Sequence, residues 1–556
     1  MTSNTTTFIR TNAGKNTGIG HLVRCLQLAK ELKKHLINVV FVLDYIEEAI
    51  EPFLRDVETR VLYQAQQNSL NEIEDAEKFI ALTEQYQTGY IIIDDYRLGK
   101  LWEQTVYSKK NNNIPLLVID DLLREHYCDF LVDMKWRGDQ TQSAYDTLTP
   151  THCIKLLGSS YVLLDEKYRS VKKPSNIAVI SEFTIMFGLG GAGDLLQCQQ
   201  LIDYLLAQQY TLGLSFKVLV VLGPLAQNSQ PFIEHYNKNN NVELLIGKTD
   251  LYPYLENCHL YIGAAGGITY QLLALKIPAL TFAIAENQHS EKKQLAQLGH
   301  YFHLDSFNEI TADNLVFFVK SACTYYPRLK SLILNAEHPI DALGTTRVVE
   351  TLLALPTPVT QAKAKITSKN HITRNQKYLI DSNNYTLREV NDGDINHYLQ
   401  SRNLPSNCQN MIKSAQIPYL SHYAWWFNTQ RDSYLLSHHG KPVLYIWHEI
   451  KNIEDNTFLI GGWFVCERDI GFQEALLALN WQLEHCKKLY PTTPWLAVIH
   501  KENKFVRLLN KYLGFSDVGT DHAYNKTVNT LFNGAERDDF HYVTFCPSSE
   551  TNDITC

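Results

Sequence analysis

No apolar run in this sequence approaches the length of a membrane span. Stretches such as "YIII" and "VLVVL" fall far short of the about 20 residues a spanning helix needs. The N-terminus, "MTSNTTTFIR", has neither the basic n-region nor the apolar h-region of a secretion signal, so a soluble, cytoplasmic chain with no membrane partner is expected. Closely spaced cysteine pairs are missing as well. The eleven cysteines are scattered, odd in number and without C-x-x-C spacing, which predicts reduced thiols, no disulfide framework and no metal. Positive charge is in deficit. A formal net charge of -8 argues against nucleic acid as the main partner, which needs a concentrated positive field, but it leaves room for a local pocket for one nucleotide. There is no fixed-period repeat.

What is present is length: 556 residues, 45% hydrophobic and 20% charged. At about 100 to 200 residues per domain this predicts three or more domains, each with its own core. The first part alternates short apolar runs with helical periodicity. The runs are "NVVFVL" (38–43), "YIIIDD" (90–95), "IPLLVID" (114–120), "FTIMFGL" (183–189), "FKVLVVLG" (216–223), "NVELLIG" (241–247), "LYIGAA" (260–265) and "PALTFAI" (278–284). Continuous β-branched runs bounded by glycine, asparagine or proline fit parallel strands buried on both faces. The fold class read from them is α/β of the doubly wound type. It is placed in two sheet domains, 1–165 and 166–350, with ligands bound beyond the carboxyl ends of the strands. Residues 351–384 are polar, basic and proline-punctuated, the composition of a linker. A different domain is expected over 385–535, and a polar tail over 536–556.

In "TNAGKNTGIGHLVRCLQLAKEL" (11–32), Gly18 and Gly20 precede an apolar helical stripe of Leu22, Cys25, Leu26, Leu28, Ala29 and Leu32. His21 therefore falls at the start of a helix, where backbone N–H groups and the dipole attract anions and disfavour an imidazolium. Such a histidine can act as a general base beside a phosphate; a glycine turn with a capping histidine is the plainer alternative. "FGLGGAGD" (187–194) supplies Gly188, Gly190 and Gly191 after a strand. "GAAGGITYQLLALKIP" (263–278) places Gly266, Gly267, Ile268, Thr269 and Gln271 between a strand and a helix. "AENQ" supplies Glu286, Asn287 and Gln288 after another strand. Each is an ordinary loop by itself, and together they outline a nucleotide-sugar cleft.

These segments, with "IIIDDY" (91–96), "VIDDLLREHYCDFLVD" (118–133), "LLGSSYVLLDEKY" (156–168) and "VVLGPL" (220–225), occur in the order found in the nucleotide-sugar hydrolases of pseudaminic acid biosynthesis. Residues 8 to about 330 resemble that family, a two-domain relative of the GT-B glycosyltransferases. The resemblance implies two Rossmann-like domains in GT-B arrangement, His21 as catalytic base and Tyr96 as a sugar or water contact. It also implies a UDP-linked sugar held by Gly18, Gly20, Arg24 and the glycine, amide and carboxylate residues of the later loops. Where the family commonly has Trp-Glu, this chain has Tyr270 and Gln271, and "FGLGGAGD" departs from the usual Gly-Gly-x-Asp.

The C-terminal part reads as a small α+β domain. "YTLREVNDGDINHYLQSRN" (385–403), "HYAWWF" (422–427), "LYIWHEI" (444–450), "NTFLIGGWFV" (456–465), "RDIGFQEALLALNWQLEHCKK" (468–488), "PWLAVIH" (494–500) and "NKFVRLLNKYLGF" (503–515) give strands, helices and a glycine loop feeding a helix. This order resembles the GNAT N-acetyltransferases that act on nucleotide-linked amino sugars. The resemblance implies acetyl-CoA as co-substrate, bound by Phe464, Val465, Arg468, Ile470, Gly471, Phe472, Gln473 and Asn503. His422 and Tyr512 are candidates for proton transfer. Gln473 stands where the family's loop ends in Gly or Ala, and Asn510 where a tyrosine is usual. The joint expectation is a bifunctional enzyme that acetylates the 4-amine of a UDP-4-amino-4,6-dideoxy-sugar and hydrolyses the product to free sugar and UDP. The alternatives are a hydrolase with an inactive or differently specific partner domain, and a GT-B glycosyltransferase.

Overall fold

A computed structural model describes the chain except for residues 1–4, 16, 66, 112, 170–181, 190–194, 227–228, 285–287, 289, 355–377, 383, 468–469 and 548–556. The chain divides into two compact units, Met1–Ala362 and Lys363–Cys556. Among the described residues no helix is long and apolar enough to cross a membrane.

The first unit carries two parallel sheets. The strands of the first are β1 (Thr6–Thr11), β2 (Asn38–Leu43), β3 (Glu58–Val61), β4 (Thr88–Asp94), β5 (Leu116–Ile119), β6 (Phe130–Asp133) and β7 (Ile154–Leu157), in the order β3-β2-β1-β4-β5-β6-β7. The second is built from β8 (Phe183–Gly188), β9 (Phe216–Leu222), β10 (Val242–Ile246), β11 (Leu260–Ala264), β12 (Ala279–Phe282) and β13 (Phe302–Leu304), in the order β10-β9-β8-β11-β12-β13. This is the predicted α/β class with two Rossmann-like sheets. In each sheet the strand order reverses once, between β1 and β4 and between β8 and β11, the point beyond whose carboxyl ends ligands bind in open α/β sheets.

Neighbouring residues of one strand serve opposite cores. Phe8 packs with Val40, Ile91 and Ile93 on one face, while Ile9 packs with Phe41, Ile92 and Leu117 on the other. Two-sided burial is why these strands read as near-continuous apolar runs. The central strand β1 escaped that reading because Arg10 and Thr11 interrupt it, yet all six of its residues are buried. Arg10 is fully buried and forks onto Asp75 at 3.1 and 2.9 Å, and its Nη2 also reaches Asp44 at 2.5 Å. Asp75 is completed by Trp102 Nε1 at 2.8 Å and the Tyr63 hydroxyl at 3.1 Å. The helix Gly344–Leu353, past the second sheet, returns to the first. Thr345 Oγ1 donates to the Leu164 carbonyl at 2.7 Å, and a Cβ on Gly344 would stand 2.3 Å from the Val162 carbonyl oxygen.

The second unit is one mixed sheet. Its strands are β14 (Tyr378–Ser382), β15 (Tyr385–Glu389), β16 (Asp432–His438), β17 (Lys441–Ile453), β18 (Asn456–Val465), β19 (Trp495–His500), β20 (Ser516–Asp517) and β21 (Phe540–Phe545). The order is β14-β15-β16-β17-β18-β19-β21-β20. β18 and β19 are parallel and meet at one register pair, Leu459 with Trp495. The expected tail over 536–556 is corrected in its first part. Phe540–Phe545 pairs with β19 along six residues and buries Phe540 and Tyr542 in one core and Val543 in another, which the polar residues between them concealed. Among the described residues nine cysteines are free, whereas Cys546 is disulfide-bonded, against the all-thiol expectation.

Arg10→Met would leave Asp44 and Asp75 buried without their shared cation. A loss of about 3–5 kcal/mol is expected, read as a lower urea midpoint for the first unit in the full chain. An unchanged midpoint would show that the network contributes nothing.

Candidate active site

α1 (Gly20–Lys34) follows β1 through a tight turn. Gly14 and Gly18 exchange backbone hydrogen bonds at 3.1 and 2.7 Å, and Gly18 sits at φ +74°, a conformation that favours glycine. The residue before the helix, Ile19, gives no side-chain cap, and the first turn holds no acid. A Cβ on Gly20 would meet nothing within 4 Å, so the helix start stays open to an anion.

His21 lies on the inward face of α1, 7% exposed. Its Nδ1 is 2.5 Å from Oδ1 of Asp94, the last residue of β4. Because β4 is the strand beyond the order reversal, this contact sits at the switch point of the first sheet. Arg24, one turn along α1, donates Nε to Asp94 Oδ2 and Nη2 to Oδ1, both at 2.6 Å. Its Nη1 lies 3.5 Å from Asp121 Oδ2. Tyr96 packs edge-on against the His21 ring, centroids 4.3 Å apart, and donates its hydroxyl to Asp121 Oδ1. Burial works to raise the Asp94 carboxyl, but Arg24 and then His21 outweigh it and hold it well below the ordinary range. Burial pushes the Tyr96 hydroxyl up, so it stays protonated.

Carboxylates also stand at the ends of β2, β5 and β6. Asp44 follows β2, Asp95 follows β4, Asp120 and Asp121 follow β5, and Asp133 ends β6. Arg97 bridges Asp44 and Asp95 at 2.6 and 2.5 Å. Asp120 takes Arg124 at 2.7 Å and lies 3.3 Å from His126 Nε2, whose Nδ1 meets Glu103 at 2.7 Å. Burial raises the Asp133 carboxyl to about 6 despite Arg137 at 2.5 Å. Asp94 and Asp121 were not among the site residues read from the sequence. Their signal was there, an apolar run ending in paired aspartates in both "IIIDD" and "LLVIDD".

In the second lobe, β11 leads through Gly266, at φ +150°, into the helix Gly267–Ala274. Thr269 Oγ1 accepts the Gly266 N–H at 3.4 Å, Gln288 Oε1 accepts the Ile284 N–H at 2.9 Å, and a Cβ on Gly267 would meet nothing within 4 Å. Gln271 Oε1 is buried without a hydrogen-bond partner. Ile268 packs on the core, and the Tyr270 hydroxyl reaches across to the Met134 carbonyl after β6 at 3.4 Å. Gly188 has a packing reason, since a Cβ there would stand 2.7 Å from the Tyr261 hydroxyl. Gly190, Gly191, Glu286 and Asn287 lie outside the described residues, as does Arg468.

In the second unit, the helix Phe472–Leu489 starts from Gly471, whose N–H is taken by Glu474 Oε2 at 2.9 Å. Ile470 packs on the core, and Phe472 and Gln473 are exposed. Phe464 is buried against Tyr398 and Tyr445. The Val465 main chain is engaged by Asn407, N–H at 3.2 Å and C=O at 2.9 Å. Asn503 caps the helix Lys504–Tyr512 by accepting the Val506 N–H at 3.2 Å. Tyr512 is exposed beside Phe472, and the buried Asn510 amide donates to the Val506 carbonyl at 2.9 Å. His422 is interior: Nε2 is 2.9 Å from the Ile395 carbonyl, and burial lowers the ring to about 4. A histidine bonded to main chain among Tyr398, Trp425 and Trp426 is a packing residue, which corrects its candidacy as a base.

No family model matches the chain. It is 22% identical over 295 residues to the UDP-2,4-diacetamido-2,4,6-trideoxy-beta-L-altropyranose hydrolase of Campylobacter jejuni, covering 52% of this chain and 96% of that one. It is 19% identical over 495 residues to an uncharacterized protein of Methanocaldococcus jannaschii, covering 85% of this chain and 90% of that one. Among solved structures, MurG of Acinetobacter baumannii superposes with a TM-score of 0.43 at 14% identity, over 63% of this chain and 100% of that one.

The Asp120–His126–Glu103 cluster predicts a pH dependence. Burial works to lower His126, but Asp120 and Glu103 outweigh it and raise it to about 9. An unfolded histidine titrates near ~6.5, so the cluster's contribution is complete below that pH and is lost as pH rises through about 9. Urea midpoints of the full chain should fall over this window, and His126→Gln should remove the slope. Parallel curves would refute the assignment.

Proposed function

We propose that the chain is a bifunctional enzyme acting on a UDP-linked deoxyamino sugar. The first unit hydrolyses a UDP-2,4-diacetamido-2,4,6-trideoxy-sugar, and the second transfers acetyl from acetyl-CoA to the 4-amine of its precursor. The observation that carries the first half is His21, held by a buried carboxylate at the switch point of the sheet, beside an uncapped helix start. The likeness to the Campylobacter hydrolase, over nearly all of that protein, supports the substrate class.

Hydrolysis needs a water activated at the anomeric carbon and an anion site for the departing diphosphate. His21 takes the water proton as oxygen bonds to the anomeric carbon. The bond from that carbon to the phosphate oxygen breaks, and UDP leaves with the electron pair. The N-termini of α1 and of Gly267–Ala274 supply N–H groups for its phosphates. The unpartnered Gln271 Oε1 is suited to accept a hydroxyl proton from the nucleotide.

For the second unit, the support is the divergence of β18 from β19 past Leu459, next to the helix that starts from Gly471. Leu459 turns its N–H toward β19, and by the alternation of a strand Gly461 and Trp463 turn the same way. A pantetheine arm would add there as an extra strand, with Asn407 closing the far end at Val465. The alignment with the archaeal protein runs across both units, which favours their working together. One observation favours an inactive partner instead: Glu474 already occupies the Gly471 N–H with a carboxylate, which opposes a pyrophosphate there.

Mass spectrometry of the purified chain with a UDP-4-amino-4,6-dideoxy-sugar and acetyl-CoA should show an acetylated nucleotide sugar, then free UDP. UDP release only from pre-acetylated sugar would support the inactive partner; release from neither would refute the hydrolase. His21→Ala should cut UDP release by ~10²–10⁴-fold with UDP affinity near normal. Gly471→Trp should abolish acetyl transfer and spare hydrolysis. Loss of both activities in either variant would contradict independent sites.

A further inference from the structure

Arg24 was expected to touch the nucleotide sugar, but the structure turns its guanidinium inward. Its Nε and Nη2 form a fork on the two oxygens of Asp94, at 2.6 Å each, and its Nη1 faces Asp121. Arg24 follows His21 by three residues on α1, so the two side chains share a helix face. Asp94 is fixed from its backbone as well: it registers with Thr11 of β1, whose hydroxyl donates to the Asp94 carbonyl at 3.1 Å. We propose that Arg24 and Asp94 are positioning residues that fix His21 in the tautomer with its proton on Nδ1, leaving the lone pair on Nε2.

The argument is an inventory of donors. A carboxylate that receives an arginine fork is ionised and can only accept, and Cys25 Sγ adds a further contact to its Oδ2 at 3.4 Å. His21 Nδ1 stands 2.5 Å from Oδ1. At that distance a lone pair on Nδ1 would face the lone pairs of an anion, whereas an N–H makes a charge-assisted bond. Nδ1 therefore donates. Arg24 Nη2, 3.1 Å from Nδ1, is a second donor converging on the same oxygen. The edge-on Tyr96 ring fixes the imidazole plane. Nε2 is left as the ring's acceptor, the atom through which a water can be deprotonated. Arginine is required for the fork, because a lysine presents the charge at one point and cannot engage both oxygens at once.

The inference rests on the hydrolase reading for what the base does, but the tautomer can be observed without any substrate. The full chain is labelled with ¹⁵N-histidine, the His21 signals are assigned by their loss in His21→Ala, and long-range ¹H–¹⁵N spectra read which ring nitrogen carries the proton. Wild type should show the proton on Nδ1. Asp94→Asn, folded by circular dichroism, should shift His21 toward the other tautomer and lower kcat for UDP release by ~10³–10⁴-fold with KM changed less than ~3-fold. Arg24→Lys, which keeps the charge, should retain a minority of the wild-type tautomer with an intermediate kcat, and it serves if Asp94→Asn does not fold. A wild-type proton on Nε2, or variants whose tautomer matches wild type, would overturn the proposal. The predicted tautomer in a chain that releases no UDP from any nucleotide sugar would uphold it and refute the hydrolase reading.

Discussion

Parallel strands all end on the same side, and in the first sheet this brings a row of aspartates to one edge. Asp44, Asp94, Asp95, Asp120, Asp121 and Asp133 lie at or just past the ends of four strands. Buried or half-buried charges of one sign at such spacing are tolerated only if each has a cation within reach. The chain supplies them from its own elements: Arg10 from β1, Arg24 from α1, and Arg97, Arg124, His126 and Arg137 from the segments after β4, β5 and β6. The position of the candidate site follows from this constraint. It is the place on the row where an arginine fork and a histidine from one helix, α1, converge on the same carboxylate.

Buried ion pairs are a poor source of net stability, because the desolvation cost nearly cancels the attraction. Their value along this edge is geometric. An arginine fork and a carboxylate meet in one plane and at one distance, so each pair sets the spacing between the segments that bear its two members. Arg97 ties the loop after β4 to the end of β2, and Arg24 ties α1 to β4 and the loop after β5. The Tyr96–Asp121 hydrogen bond closes the circuit beside the His21 ring. A site assembled from the ends of three strands and one helix is held by these links more than by its loops.

The double-faced strands β2, β4, β5, β8, β9, β11 and β12 were legible because two-sided burial writes itself as an unbroken apolar run. β1 was not, although it is central: its Arg10 is matched by Asp44 and Asp75, 34 and 65 residues away, and no local pattern carries that information. β21 was hidden the same way, since "FHYVTF" alternates with polar residues in a segment that reads as a tail. At the site, glycines marked the turns into α1 and into Gly267–Ala274, and His21 was found from its place between them. The carboxylates were missed because an aspartate after an apolar run looks like an ordinary strand end. The inward partner of Arg24 was not legible, because Asp94 lies 70 residues on.

The second unit meets the opposite constraint. In its mixed sheet the strands from β14 to β18 pair antiparallel, and the one parallel pair, β18 with β19, meets at a single register position. The ladder breaks where β18 leaves β19, and Gly461 beside it has a packing reason. A Cβ on Gly461 would stand 2.6 Å from the Trp447 carbonyl oxygen and 2.8 Å from the Trp495 ring, whereas one on Gly462 would meet the Trp447 indole at an ordinary 3.5 Å. The Trp495 ring and the Trp447 main chain therefore leave room only for glycine at 461. A sequence pattern here can be a packing requirement and a ligand edge at once, and its glycines do not by themselves tell the two apart.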